Sequence, residues 1–122
     1  MVKNWIVAVA SAAALAATAA AAEPVRYAWT GVGANQLGAT KCPTYKMTID
    51  VAVDGTSVKG EFQQEGRDKR HFEAALDPKG VFKTKATIGG GSTMDVHGTI
   101  SDKENKIVLD GYCKFEGKLT KK

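Results

Sequence analysis

The chain has 122 residues and a formal net charge of +4, with 25% charged and 43% hydrophobic residues, the proportions of one ordinary globular domain. Its 17 basic and 13 acidic side chains do not form the dense basic stripe of a nucleic-acid binder. Two cysteines without a Cys-x-x-Cys spacing, and only two histidines, argue against a metal-binding pair.

The first 22 residues read as an export signal. Lys3 supplies a short positive region, Trp5 to Leu15 an uncharged apolar region, and Ala20-Ala21-Ala22 the small residues that a signal peptidase needs. Cleavage after Ala22 leaves one domain, residues 23–122, in the periplasm or outside the cell. A membrane anchor is the competing reading. The apolar run from Trp5 to Ala22 is near the lower length limit for a span, and its alanines make it weakly apolar. No Arg-Arg pair marks a twin-arginine route, and Cys42 lies too far along the chain for lipid attachment at the new terminus. In an oxidising compartment the two remaining cysteines are expected to pair, Cys42 with Cys113. That bridge closes a loop of about 70 residues and contributes roughly 4 kcal/mol in the chain-entropy account.

From Val25 onward, apolar residues recur with period two and turn residues interrupt them regularly, the pattern of strands. Val25, Tyr27 and Trp29 share one face of the first strand, and a glycine-rich loop, Gly31 to Thr44, follows. Tyr45 to Val53 alternates most cleanly and leads through Asp54-Gly55, a hairpin dipeptide that tolerates positive φ, to Ser57–Gln64. A charged turn around Gly66 precedes Arg70–Leu76, and Asp77-Pro78-Lys79-Gly80 has the proline and glycine of a tight turn. Val81–Ile88, the Gly89–Ser92 loop, Thr93–Ile100 and Lys106–Leu119 complete the chain. In the last segment Asp110-Gly111 reads either as a hairpin turn or as a bulge in one long strand.

The expected fold is all-β: an antiparallel up-and-down meander of about eight strands closed into a small barrel, since closure removes the two free edges. A closed barrel also sets the first loop beside the last strand, where the two cysteines lie. A two-sheet sandwich is the alternative. Inward parity holds both small residues (Gly60, Ala74, Ala86, Gly98, Gly117) and aromatics. Tyr27, Trp29, Tyr45, Phe62, Phe82 and Phe115 are therefore the candidate lining of an interior ligand site, against the plainer reading that these rings fill the space the glycines leave.

Other chemistry finds little support. His71 with Glu73 and Asp95 with His97 form outward pairs, but a meander puts Lys83 and Lys85 between them, a charge ladder rather than a cation site. Ser57, Ser92 and Ser101 sit at turns or strand starts, outside any Gly-x-Ser-x-Gly elbow. The GVGANQLG stretch lacks phosphate-loop spacing and a following helix, and reads as a flexible mouth loop partly pinned by Cys42. Arg67-Asp68-Lys69-Arg70 and the tail lysines Lys118, Lys121 and Lys122 are solvated clusters with at most a weak contact to an anionic surface.

Trp29-Thr30-Gly31 near the start, a cysteine in the first loop and the closing Cys113-to-Leu119 pattern (Cys-x-Phe-x-Gly-x-Leu) make the chain similar to small exported bacterial β-barrel proteins. In architecture it resembles avidin-like and lipocalin-like barrels and the periplasmic barrels that inhibit proteases or lysozyme. The resemblance transfers no functional residue. The expectation is an exported, non-enzymatic binding protein without cofactor or metal. It would use its mouth loops, Gly31–Thr44 and Gly89–Ser92, or its interior, for a small ligand or an extended partner. The alternative is an inhibitor of an envelope or host hydrolase of the protease or lysozyme type.

Overall fold

The computed structural model describes residues 23–122; the expected signal peptide and its cleavage site at Ala22 lie outside the described residues. The alternating segments become strands in the expected order: β1 (Val25–Val32), β2 (Ala34–Asn35), β3 (Lys46–Asp54), β4 (Ser57–Gln64), β5 (Arg70–Ala75), β6 (Val81–Gly89), β7 (Ser92–Ile100), β8 (Asn105–Asp110), β9 (Cys113–Lys118) and β10 (Thr120–Lys121). The Cys42–Thr44 segment forms a short 3-10 turn with Pro43 in its first turn, where the missing N–H costs nothing. Asp110-Gly111 makes a hairpin turn: Gly111 N–H donates to the Cys113 carbonyl at 3.0 Å, and Asp110 pairs with Lys114 across the ladder.

The fold is all-β with two antiparallel five-stranded sheets, ordered β10-β1-β3-β4-β5 and β2-β9-β8-β7-β6. Neither sheet closes on itself. The expected barrel closure is not seen, and the two sheets are consistent with the alternative, a two-sheet sandwich. Two seams account for this. After the Asp77–Gly80 turn, where Asp77 N–H donates to the Val81 carbonyl at 2.9 Å, β5 and β6 diverge without a ladder and become the edges of different sheets. At the other seam, β1 continues as β2 into the second sheet, while β9 continues as β10 into the first. The two crossing strands keep one register at both ends, Tyr27 with Lys121 and Ala28 with Thr120, then Ala34 with Lys114 and Asn35 with Cys113. Between those ladders, residues 29–33 and 115–119 do not pair with each other and bond instead to β3 and β8 and the residues flanking them.

One core fills the space between the sheets. Ile49, Val51, Val58, Phe62 and Phe72 come from the first, and Phe82, Val96, Ile107, Leu109 and Phe115 from the second. Their burial follows from strand parity, since alternate side chains must face the same side. Glycines stand where the large rings need room. The Phe72 ring covers its cross-strand partner Gly60, and Phe82 covers Gly98. At the crossing seam the Trp29 indole lies over Gly31 and Gly117, in the space a Gly117 side chain would take. Phe62, Phe72 and Phe82 form a line across the interior, with centroids 6.3 Å apart at each step, which joins the sheets where β5 and β6 part.

The disulfide Cys42–Cys113 is formed, with Cα atoms 5.6 Å apart and a sequence separation of 71. Both cysteines are buried in the same core. It ties the first loop of one sheet to the β8–β9 hairpin of the other.

Two outcomes check this account. Replacing both cysteines by alanine is expected to destabilise the domain by about 4 kcal/mol, lowering the melting temperature by roughly 15 °C or more; unchanged melting would show the bridge to be structurally idle. Gly117→Ala is expected to displace the Trp29 indole and cost about 1–3 kcal/mol in a denaturant titration, because overfilling a packed site forces side chains off their rotamers.

Candidate functional site

The six aromatics expected to line a ligand site all face inward, but they are parts of the packed core. Tyr27, Phe62, Phe82 and Phe115 are buried, the last two only 1% exposed, and Trp29 and Tyr45 pack against the same cluster. Phe115 lies over Gly33 as Trp29 lies over Gly117. Rings over glycines occupy the volume that an interior ligand would need.

The hollows lie outside. One, about 660 Å³ and open to solvent, runs over the outer face of the first sheet and is lined by Arg26, Asp50, Lys59, Glu61, His71 and Glu73 among others. Asp50, Glu61 and His71 stand directly opposite one another on β3, β4 and β5. The two facing carboxylates are each offset by a lysine, Lys122 at 3.1 Å from Asp50 and Lys69 at 3.3 Å from Glu61. Like charges across a ladder are unfavourable unless so compensated. A second outer hollow, about 470 Å³, is lined by Lys83, Lys85, Asp95, His97 and Asp110. Here Lys85 Nζ donates to Asp95 Oδ1 at 2.6 Å, and this hydrogen bond and charge hold the Asp95 carboxyl below its usual range.

The single charge ladder expected to link the two histidine pairs is not formed. β5 does not pair with β6, so His71 and Glu73 belong to one sheet and Asp95 and His97 to the other. Lys83 faces His97 and Lys85 faces Asp95 within the second sheet alone. Among the described residues no three His, Cys, Asp or Glu side chains are grouped to hold a metal ion. Ser101 Oγ accepts from the backbone N–H groups of Lys103 and Glu104, each at 3.2 Å, which makes it a turn residue.

The most distinctive surface is at one pole of the fold, where the first loop meets the β8–β9 hairpin. Ala39 N–H donates to the Gln36 carbonyl at 2.9 Å, closing a tight turn with Leu37 at φ 53° and Gly38 at φ 82°. Positive φ at both central positions is the type I′ pattern, which favours Asn, Asp and Gly. Leucine there costs about 1–2 kcal/mol, because its Cβ crowds the following carbonyl. Leu37 is the one non-glycine residue with positive φ among those described. It is also 81% exposed, the most exposed large hydrophobic. A residue unfavourable in both backbone and solvation stands at the tip of the loop.

The loop is firmly held. Gln36 Nε2 donates to Asp110 Oδ1 and to the Gly111 carbonyl, each at 2.6 Å, clamping the turn to the hairpin. Asn35 Oδ1 accepts from Cys42 N–H at 2.9 Å across the loop's neck, and the disulfide closes its far side. Beside the clamp, Tyr112 is 63% exposed at the hairpin tip, and Val32 is 50% exposed at the end of β1. The expectation of a flexible mouth loop partly pinned by Cys42 is thus corrected in one respect: the loop is tied at three points.

Strand rhythm could not reveal Gln36, Leu37 or Tyr112. The only available signal was chemical, an apolar residue set between Gln36 and Gly38 where a turn prefers small polar ones. The other expected mouth loop, Gly89–Ser92, has positive φ at Gly89, Gly90 and Gly91 and presents no large side chain. In comparisons with known proteins, no family model, no curated protein and no solved structure matches the chain.

Proposed function

We propose that this is a non-enzymatic binding protein, acting outside the cytoplasm, whose working surface is the clamped loop carrying Leu37 and the adjoining Tyr112. The observation that carries this reading is the combination at Leu37 of an unfavourable backbone conformation, nearly full exposure and a threefold clamp. Selection for stability alone would place Asn or Gly there. Strain held in place by surrounding structure concentrates where a surface does work. The buried disulfide agrees with an oxidising compartment, and no described helix is long and apolar enough to cross a membrane.

The packed interior weighs against a ligand held between the sheets, so the mouth-loop form of the reading is the stronger one. The hydrolase-inhibitor alternative would use the same loop, since an ordered projecting turn is what an inhibitor inserts into its target. In both forms the loop is pre-organised, and little conformational entropy is lost when its partner binds.

The test turns on opposite signs. Leu37→Asn is expected to raise stability by about 1 kcal/mol, because Asn adopts positive φ readily, and so to raise the melting temperature by roughly 4–8 °C. The same substitution is expected to lower retention of partners from an exported-fraction extract by about tenfold, the value of one buried leucine. Equal retention by the two proteins would sink the reading, and a loss of stability would remove its central observation.

A further inference from the structure

We infer that the clamped loop and the Tyr112 hairpin dock on an anionic lipid surface, with Leu37 and Tyr112 entering the interfacial region and lysines around them meeting the headgroups. The inference rests on the reading that this pole is the working surface, and it names the partner.

The three most exposed large hydrophobics of the described chain, Leu37, Tyr112 and Val32, share one pole. Antiparallel pairing brings alternate connections to the same end, so residues 33–45, the 65–69 turn and the Gly111–Tyr112 turn adjoin there. Backbone bonds confirm the adjacency: Glu65 N–H donates to the Lys46 carbonyl at 2.9 Å, and Gly33 N–H donates to the Tyr45 carbonyl at 3.2 Å. Around the apolar tip the charge is positive. Lys41 is the only charged residue in the Gly31–Thr44 loop. Lys46 lies across the ladder from Val32, and Lys114 across from Ala34. Among the described residues neither Lys41 nor Lys46 is ion-paired, while Lys114 stands 3.8 Å from Glu116. Asp110, in the adjoining hairpin, accepts from Gln36 and faces Lys114 across the ladder. In the next turn Arg67 and Arg70 balance Glu65 and Asp68, Lys69 being paired with Glu61 at 3.3 Å.

An apolar tip inside a basic collar is the charge pattern that an anionic bilayer complements. The apolar groups are carried on two convex turns. A bilayer accepts such projections without a matching pocket, and a tyrosine suits the interface because its ring is apolar and its hydroxyl is wet. The positive φ of Leu37 keeps its side chain outward before contact, so insertion requires no rearrangement.

The experiment is co-sedimentation of the purified protein with phosphatidylcholine vesicles containing roughly 30% phosphatidylglycerol, the anionic probe, against vesicles of phosphatidylcholine alone. Wild-type protein is expected to sediment with the anionic vesicles. Partitioning is expected to fall at least about tenfold in the Leu37→Asn, Tyr112→Ser double variant, and to fall again for Lys41→Glu and in about 1 M salt, where the Debye length is about 3 Å. All three positions are exposed, and unchanged far-ultraviolet circular dichroism would show that the variants stay folded. No sedimentation of wild type, or sedimentation that the tip substitutions leave unchanged, overturns the inference. If vesicles fail while Leu37→Asn still abolishes capture of a soluble protein, the lipid inference falls and the binding-loop reading stands with a protein partner. If both assays fail, both fall.

Discussion

Large rings laid over glycines govern the interior of this protein. At Gly60 under Phe72, Gly98 under Phe82 and Gly117 under Trp29, a Cβ would occupy space that an aromatic ring already holds. A sheet that must coil tightly gains from losing side chains on its inner face, and the bare backbone then exposes a strip that a neighbouring ring can cover. In a domain of this size, where the core is small relative to the surface, a few such rings supply much of the buried apolar area. The line from Phe62 through Phe72 to Phe82 holds the sheets together at the seam where β5 and β6 share no ladder. Trp29 does the same at the opposite seam, where β1 and β9 cross.

That packing also decides where function can be. The interior is packed by its own aromatics, and the outer faces of both sheets carry paired charges, Lys122 with Asp50 and Lys85 with Asp95 among them. The pole around the disulfide differs from both. There the chain keeps Leu37 and Tyr112 in water and orders the turn that carries Leu37 with a glutamine clamp, an asparagine at the loop's neck and a buried disulfide. Holding Leu37 exposed with positive φ is costly for the isolated protein. The proposed binding role would account for it.

Some of this was legible in the residues. Strand boundaries followed from period-two alternation in Tyr45–Val53 and from turn chemistry at Asp54-Gly55 and Asp77–Gly80, because both signals depend only on neighbours along the chain. The inward parity of Tyr27, Trp29, Tyr45, Phe62, Phe82 and Phe115 was also correct, although parity leaves open whether an inward ring lines a cavity or fills one. The roles of Gln36 and Leu37 were not legible. A glutamine side chain that reaches residues 74 and 75 positions away leaves no trace in local pattern.

The sequence by itself determined that the described chain is all-β, where its turns fall and which two cysteines are available to pair. Each of these depends on side-chain period, backbone preference or simple count. Only the tertiary structure decided that β5 and β6 part into separate sheets, that the rings close over the glycines, and that Leu37 is held outward with positive φ. Each of those outcomes depends on which distant segments meet. Loop closure and ring packing are settled by competition among contacts across the whole fold, and such contacts have no signature in the residues on either side of them.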